Sequence, residues 1–106
     1  MKAVGIIPAR YKSSRFEGKP LALILGKPMI IYVCEIVAEA LGIENTYVAT
    51  DDIRIFDCVT NLGFKAVMTP DNCLTGTDRL YEAAKLIKAD IYLNIQGDEP
   101  MLNPKD

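Results

Sequence analysis

Residues Thr46 to Met68 read TYVATDDIRIFDCVTNLGFKAVM, and the hydrophobic period changes twice along them. Thr46 to Thr50 is a β-branched run suited to a strand. Asp51 and Asp52 follow, both of the residue type that caps a helix N-terminus. Ile55, Val59 and Leu62 then recur at the spacing of one helical face, and Gly63 marks the stop. Phe64 to Met68 is a second short extended run. A strand, a helix and a strand joined by such short turns make a parallel pair with a crossover between them. The Asp51-Asp52 pair stands at a strand end, where a metal could sit, but helix capping is the simpler reading of it.

The same unit recurs on both sides. Toward the N-terminus, Lys2 to Ile7 reads as a strand. Gly26-Lys27-Pro28 opens a helix with Pro in its first turn. Ile30, Ile31, Val33, Cys34, Ile36, Val37 and Leu41 give that helix its apolar spacing, and Gly42 ends it. Toward the C-terminus, Thr75 to Lys88 reads as a third helix with Leu80, Ala83, Ala84 and Ile87 inward. Ile91 to Ile95 is a fourth strand, apolar enough to be central. Strands alternating with helices predict a mostly parallel sheet covered on both faces, a three-layer αβα arrangement. Residues 1–106 form one domain with no repeat or linker, and no helix follows the last strand, so the reading is of a truncated domain.

Composition narrows the function. Twelve Lys and Arg against fourteen Asp and Glu leave a net charge of −2, which argues against the basic face of a nucleic-acid binder. No apolar run approaches the ~18 residues of a membrane span, and the N-terminus does not read as a signal peptide, so the cytosol is the default compartment. The chain has no His, which excludes Ser-His-Asp and Cys-His catalysis within it as well as His-ligated zinc. Cys34, Cys58 and Cys73 form no CxxC unit, and an odd count suits a reduced compartment. Cys34 and Cys58 fall in helical patterns, as small hydrophobes do.

Against that balance, one loop stands out. Arg10, Lys12, Arg15 and Lys19, four of the twelve cations, follow the first strand within a single segment. In open α/β sheets ligands bind where strands end, so a basic loop there points to a polyanion, and a nucleoside triphosphate is the small polyanion it suits. It is not a P-loop: Ser13 stands at the first Gly position of that motif and Pro20 at its last, and Pro20 disfavours a helical Lys19. Cations round a triphosphate would neutralise it and polarise the phosphorus under attack. A loop of solvated charges is the alternative. Two further motifs fall at the same sheet edge. Thr75-Gly76-Thr77-Asp78-Arg79 carries a capping box in Thr75 and Asp78, and Arg79 in a first helical turn opposes the helix dipole, which hints at a partner for it. Gln96-Gly97-Asp98-Glu99-Pro100 ends the fourth strand with carboxylates able to hold Mg²⁺ on substrate phosphates, or forms a plain acidic turn.

Together, IPARYxSSRFxGKPL, GTDR and NxQGDEP resemble the 3-deoxy-manno-octulosonate (KDO) cytidylyltransferases, in order and over essentially the whole chain. The resemblance implies a Rossmann-like nucleotidyltransferase fold and the reaction of KDO with CTP to give CMP-KDO and pyrophosphate, with Mg²⁺, for lipopolysaccharide synthesis in the cytosol. It implies that Arg10, Arg15 and Lys19 hold the triphosphate, that Pro8, Ala9, Thr75, Gly76 and Thr77 wall the cytidine, that Asp98 binds Mg²⁺, and that Gln96 and Arg79 lie nearby. Arg10, Lys19 and Asp98 would carry the catalysis. Family members are about twice this length or more, with a second half that binds sugar, dimerises and adds a metal carboxylate. By that comparison the 106-residue chain alone should have little transferase activity, and the full-length form should be a homodimer. Two alternatives stay open: a cytidylyltransferase for 8-amino-KDO or a nonulosonic acid, and a CTP-binding domain without catalysis.

Overall fold

The computed structural model describes residues 1–11, 19–70 and 76–95, with backbone alone at Lys19, Gly76 and Thr77. Strand β1 (Ala3–Ala9) is followed by a short hairpin, β2 (Leu23–Ile24) and β3 (Lys27–Pro28), and by helix α1 (Met29–Leu41). Then come β4 (Thr46–Thr50), α2 (Ile53–Asn61), β5 (Lys65–Met68), α3 (Gly76–Ala84) and β6 (Ile91–Asn94). The four long strands form one parallel sheet in the order β5-β4-β1-β6. From β1 the chain steps outward to β4 and β5, then returns past β1 to β6. A constant crossover hand requires the helix to change faces when the direction of travel reverses. It does: α1 and α2 pack on one face, and α3 on the other.

Alternation along the strands explains both cores. Ile7 and Ala9 face α1, with Ile30, Cys34, Val37, Ile55 and Val59 buried beside them. Val4 and Ile6 point the opposite way, onto Ala83 and Ile87 under α3. Gly5 is where α1 comes closest to the sheet. A Cβ there would lie 2.6 Å from Val37 Cγ1, so no larger residue fits without displacing the helix.

The expected elements are present, with differences at their ends. β1 runs two residues beyond Ile7, through Pro8. A proline inside a central strand removes a ladder donor, but the alternation makes this one harmless. Ile6 accepts from Ile95 N–H on the β6 side, so Pro8 also faces that side, past the last register pair, Ile6 with Asn94. Gly26-Lys27-Pro28 does not start the helix. Leu25 and Gly26 both have positive φ, 53° and 82°, the signature of a two-residue type I′ hairpin turn. Pro28 is the residue before α1, with ψ 138°. Gly42 and Gly63 do follow their helices with φ near +90° (93° and 92°).

Two residues expected inward are exposed. Ile36 lies roughly 120° round α1 from the Ile30–Cys34–Leu41 line, and Leu62 falls beyond the last turn of α2. α3 stops at Ala84 rather than Lys88, and the Leu86 N–H turns to the Ala83 carbonyl. Tyr92 donates its hydroxyl to the Ile87 carbonyl and accepts the Ala89 N–H, drawing both groups out of any helical continuation. β6 pairs with β1 at one side of the described sheet, and its Ile91 and Leu93 are exposed among the described residues. No described helix is long and apolar enough to cross a membrane.

Candidate functional site at the carboxyl edge of the sheet

The registers place every strand exit on one rim. Ala9 pairs with Thr50, Thr50 with Met68, and Ile6 with Asn94. Arg10, Asp51, Thr69 and Ile95 therefore emerge together. β1 is the strand from which the order runs one way to β4 and the other way to β6, and such a switch point opens a crevice at the carboxyl ends. Arg10 leaves one side of it, and Ile95, the last described residue of the C-terminal run, leaves the other.

Of the residues singled out from sequence, Pro8 is half-buried, Ala9 is buried and Arg10 is exposed at the rim. Lys19 begins a 3-10 turn, Lys19–Leu21, that packs against α1 and α2. Gly76 and Thr77 lie in the first turn of α3, with their free N–H groups at the helix start. Arg15, Thr75, Gln96 and Asp98 lie outside the described residues, as do Lys12, Cys73 and the Thr75 half of the capping box.

Arg79 is the residue the structure changes most. It is 1% exposed, and it is the bulkiest fully buried side chain among the described residues. Its Nη1 donates to Thr69 Oγ1 at 2.5 Å and to the Pro70 carbonyl at 3.5 Å, and its Nη2 faces Asp51 Oδ2 at 3.4 Å. The dipole argument for a partner is met, and the partner is Asp51. One guanidinium thus joins the ends of β4 and β5 to the first turn of α3.

The two aspartates do not share the capping role. Asp52 alone caps α2, its Oδ1 accepting the Arg54 N–H at 2.8 Å. Arg54 also donates Nε to Oδ1 at 3.0 Å and Nη2 to Oδ2 at 2.7 Å. Those side-chain bonds, more than any other influence, hold the Asp52 carboxyl below the usual carboxylate range. Arg54 lies over the ring of Tyr11, its Cζ 3.3 Å from the centroid. Sequence reading missed this contact, because no periodicity links residues 43 positions apart.

Thiol chemistry finds no support among the described cysteines. Burial pushes the Cys34 thiol up to about 12 and raises that of Cys58, so neither is a ready thiolate. The described residues contain no cluster of three metal-ligating side chains. Asp51 and Asp52, at the end of β4, each face an arginine instead.

The family profile described as cytidylyltransferase matches residues 4–106. The chain belongs to the cytidylyltransferase family. Within it, the chain is 52% identical over 105 residues to the 3-deoxy-manno-octulosonate cytidylyltransferase of Escherichia coli, spanning 99% of this chain and 43% of that protein. It is 50% identical over 107 residues to the 8-amino-3,8-dideoxy-manno-octulosonate cytidylyltransferase of Shewanella pealeana, spanning 98% of this chain and 44% of that one. A solved structure of CMP:2-keto-3-deoxy-manno-octonic acid synthetase complexed with CTP matches 99% of this cytidylyltransferase chain and 44% of its own, with 51% identity and a TM-score of 0.87. The α/β nucleotidyltransferase fold read from the sequence is therefore the fold of the chain. The chain spans less than half the length of these relatives.

Proposed function

We propose that the full-length protein transfers the cytidylyl group of CTP to KDO, giving CMP-KDO and pyrophosphate. The observation that carries this reading is the rim at the β1–β6 switch point, where a cationic segment leaves one strand and the QGDEP segment follows the other. That a relative of 51% identity was solved with CTP supports the choice of nucleotide. Arg10, Arg15 and Lys19 hold the triphosphate and stabilise the charge that builds on it during transfer. Pro8, Ala9, Thr75, Gly76 and Thr77 wall the cytidine, with Gln96 close by. Arg79, turned inward, supports the wall by fastening the first turn of α3 to the ends of β4 and β5. The anomeric hydroxyl of KDO attacks the α-phosphorus, its proton is lost, and the bond to pyrophosphate breaks.

Residues 96–100 offer carboxylate and amide oxygens, the donor set of a hard cation, whereas the carboxylates of Asp51 and Asp52 each face an arginine. On this reading Asp98 holds Mg²⁺, which when bound supplies charge neutralisation to the phosphates. The product serves lipopolysaccharide synthesis in the cytoplasm, and a second, sugar-binding half completes the site in a homodimer.

Pyrophosphate release from CTP, KDO and Mg²⁺ by the full-length protein is the test. Release by wild type and its loss in Asp98→Ala is the expected result. A thermal shift with CTP but no release from any acidic sugar would leave a CTP-binding domain instead. The relatives named for the 8-amino sugar, at 50–51% identity, make 8-amino-KDO the specific second candidate. Its kcat/KM beside that of KDO decides between them.

A further inference from the structure

Arg10 leaves the sheet between two fixed residues. Ala9, before it, is buried and registered against Thr50. Tyr11, after it, carries the Arg54 guanidinium on its ring at 3.3 Å, well inside the ~6 Å at which a cation and a ring face attract. Arg54 is itself held in a plane. Two of its nitrogens bond the two carboxylate oxygens of Asp52, and the same carboxylate caps α2. A guanidinium gripped edge-on in this way keeps a flat face for the ring, which a lysine could not offer. Arg10 meanwhile is exposed and has no partner among the described residues.

We propose that Tyr11, clamped by Arg54 and Asp52, is a positioning residue that sets the direction in which Arg10 leaves β1 and thereby its aim at the phosphates of CTP. The inference rests on the reading that Arg10 contacts the triphosphate. Capping alone explains the Asp52–Arg54 pair, but not why the guanidinium lies across a ring on another strand's exit. Tyr11 needs no substrate contact for this role. It narrows the directions open to its neighbour, so that less freedom is lost when Arg10 meets an anion.

The test compares the full chain as wild type, Tyr11→Leu, Arg10→Ala and the double variant. CTP affinity is measured with Mg²⁺, and thermal midpoints are recorded alongside. In the CTP-free protein, the rate of tryptic cleavage at the Arg10–Tyr11 bond is followed by mass spectrometry. An exposed stack of this kind predicts about a two- to five-fold weaker CTP affinity for Tyr11→Leu. It predicts a similar rise, about two- to five-fold, in cleavage at that bond, since such cleavage tracks the population of the opened form. In the Arg10→Ala background the Tyr11 substitution should cost no further affinity, an outcome that a merely structural role for Tyr11 would not give. Asp52→Ser keeps a helix cap but not the carboxylate fork, and should reproduce the Tyr11→Leu cleavage rate. Unchanged cleavage, or an equal affinity loss with and without the Arg10 side chain, would overturn the proposal. Faster cleavage in a protein whose wild type binds no CTP would keep the hold on Arg10 and remove the nucleotide reading instead.

Discussion

Asp51 and Asp52 are neighbours at the end of β4, and each faces an arginine, yet the two pairs are physically different objects. Arg79, opposite Asp51, is 1% exposed, while the side chain of Arg54, opposite Asp52, is 54% exposed. The exposed pair has the better geometry, with two short bonds, and water competes for its arginine. The buried pair is longer, but nothing can replace it, because a guanidinium in the interior has no solvent to turn to. The contrast teaches that distance alone does not rank ion pairs. What each charge would meet if its partner left ranks them. The geometrically better pair should matter less to stability and more to where Arg10 points.

Substitutions at four positions put that comparison at risk. Asp51→Ala strands the buried Arg79 charge and should destabilise the fold by about 3–5 kcal/mol, read from the urea midpoint. A loss under about 1 kcal/mol would mean that Thr69 and Pro70 suffice, and the ranking would collapse. Arg79→Met should cost less, about 1–3 kcal/mol, since Asp51 can turn to water and only Thr69 loses a buried partner. Combining the two should be less harmful than their sum, as a double-mutant cycle on one contact requires. Asp52→Ala removes the α2 cap and should cost about 1 kcal/mol, most of it restored by Asp52→Ser. Arg54→Gln, the mildest change, should cost about 0.2–1 kcal/mol and fade with added salt.

Acid tests the Asp52 pair from another side. Asp52 has a folded-state pKa below its unfolded value of about 3.9. Its contribution is therefore complete above the unfolded value and lost as pH falls through the folded one. Urea midpoints of wild type and Asp52→Asn should differ at pH 6 and draw together as the pH is lowered toward about 3. Midpoints that stay equally far apart throughout would break the link between this carboxyl and its arginine.

The legible part of the fold was whatever repeats along the chain. The stretch from Thr46 to Met68 folds into the strand, helix and strand its periodicity implies, Leu62 alone of the expected inward face turning outward, and the glycines after α1 and α2 stand where helix stops were expected. The illegible part depended on neighbours distant in sequence. The type I′ turn at Leu25-Gly26 lacks the Asn-Gly or Asp-Gly pair that announces one, so Pro28 read as a helix start. The Tyr92 bonds to residues 87 and 89 join positions that no helical period links, and only the sheet order put β6 beside β1. Among the site residues, Arg79 was noticed for its awkward place in the helix dipole, which signalled a partner without naming it. Tyr11 stood only as one letter of the IPARYxSSR motif, with no role attached, since an aromatic beside cations has no period.

By itself, then, the sequence determined the alternation of elements, the two-faced core and the clustering of cations after the first strand, because period, capping and charge are properties of neighbouring residues. Motif resemblance added the family. Only the tertiary structure decided which strand lies beside which, and so which exits share a rim. It turned one arginine inward to Asp51 and laid another across Tyr11. Those choices follow from burial and from contacts across tens of residues, where the energy depends on what surrounds a charge rather than on what precedes it in the chain.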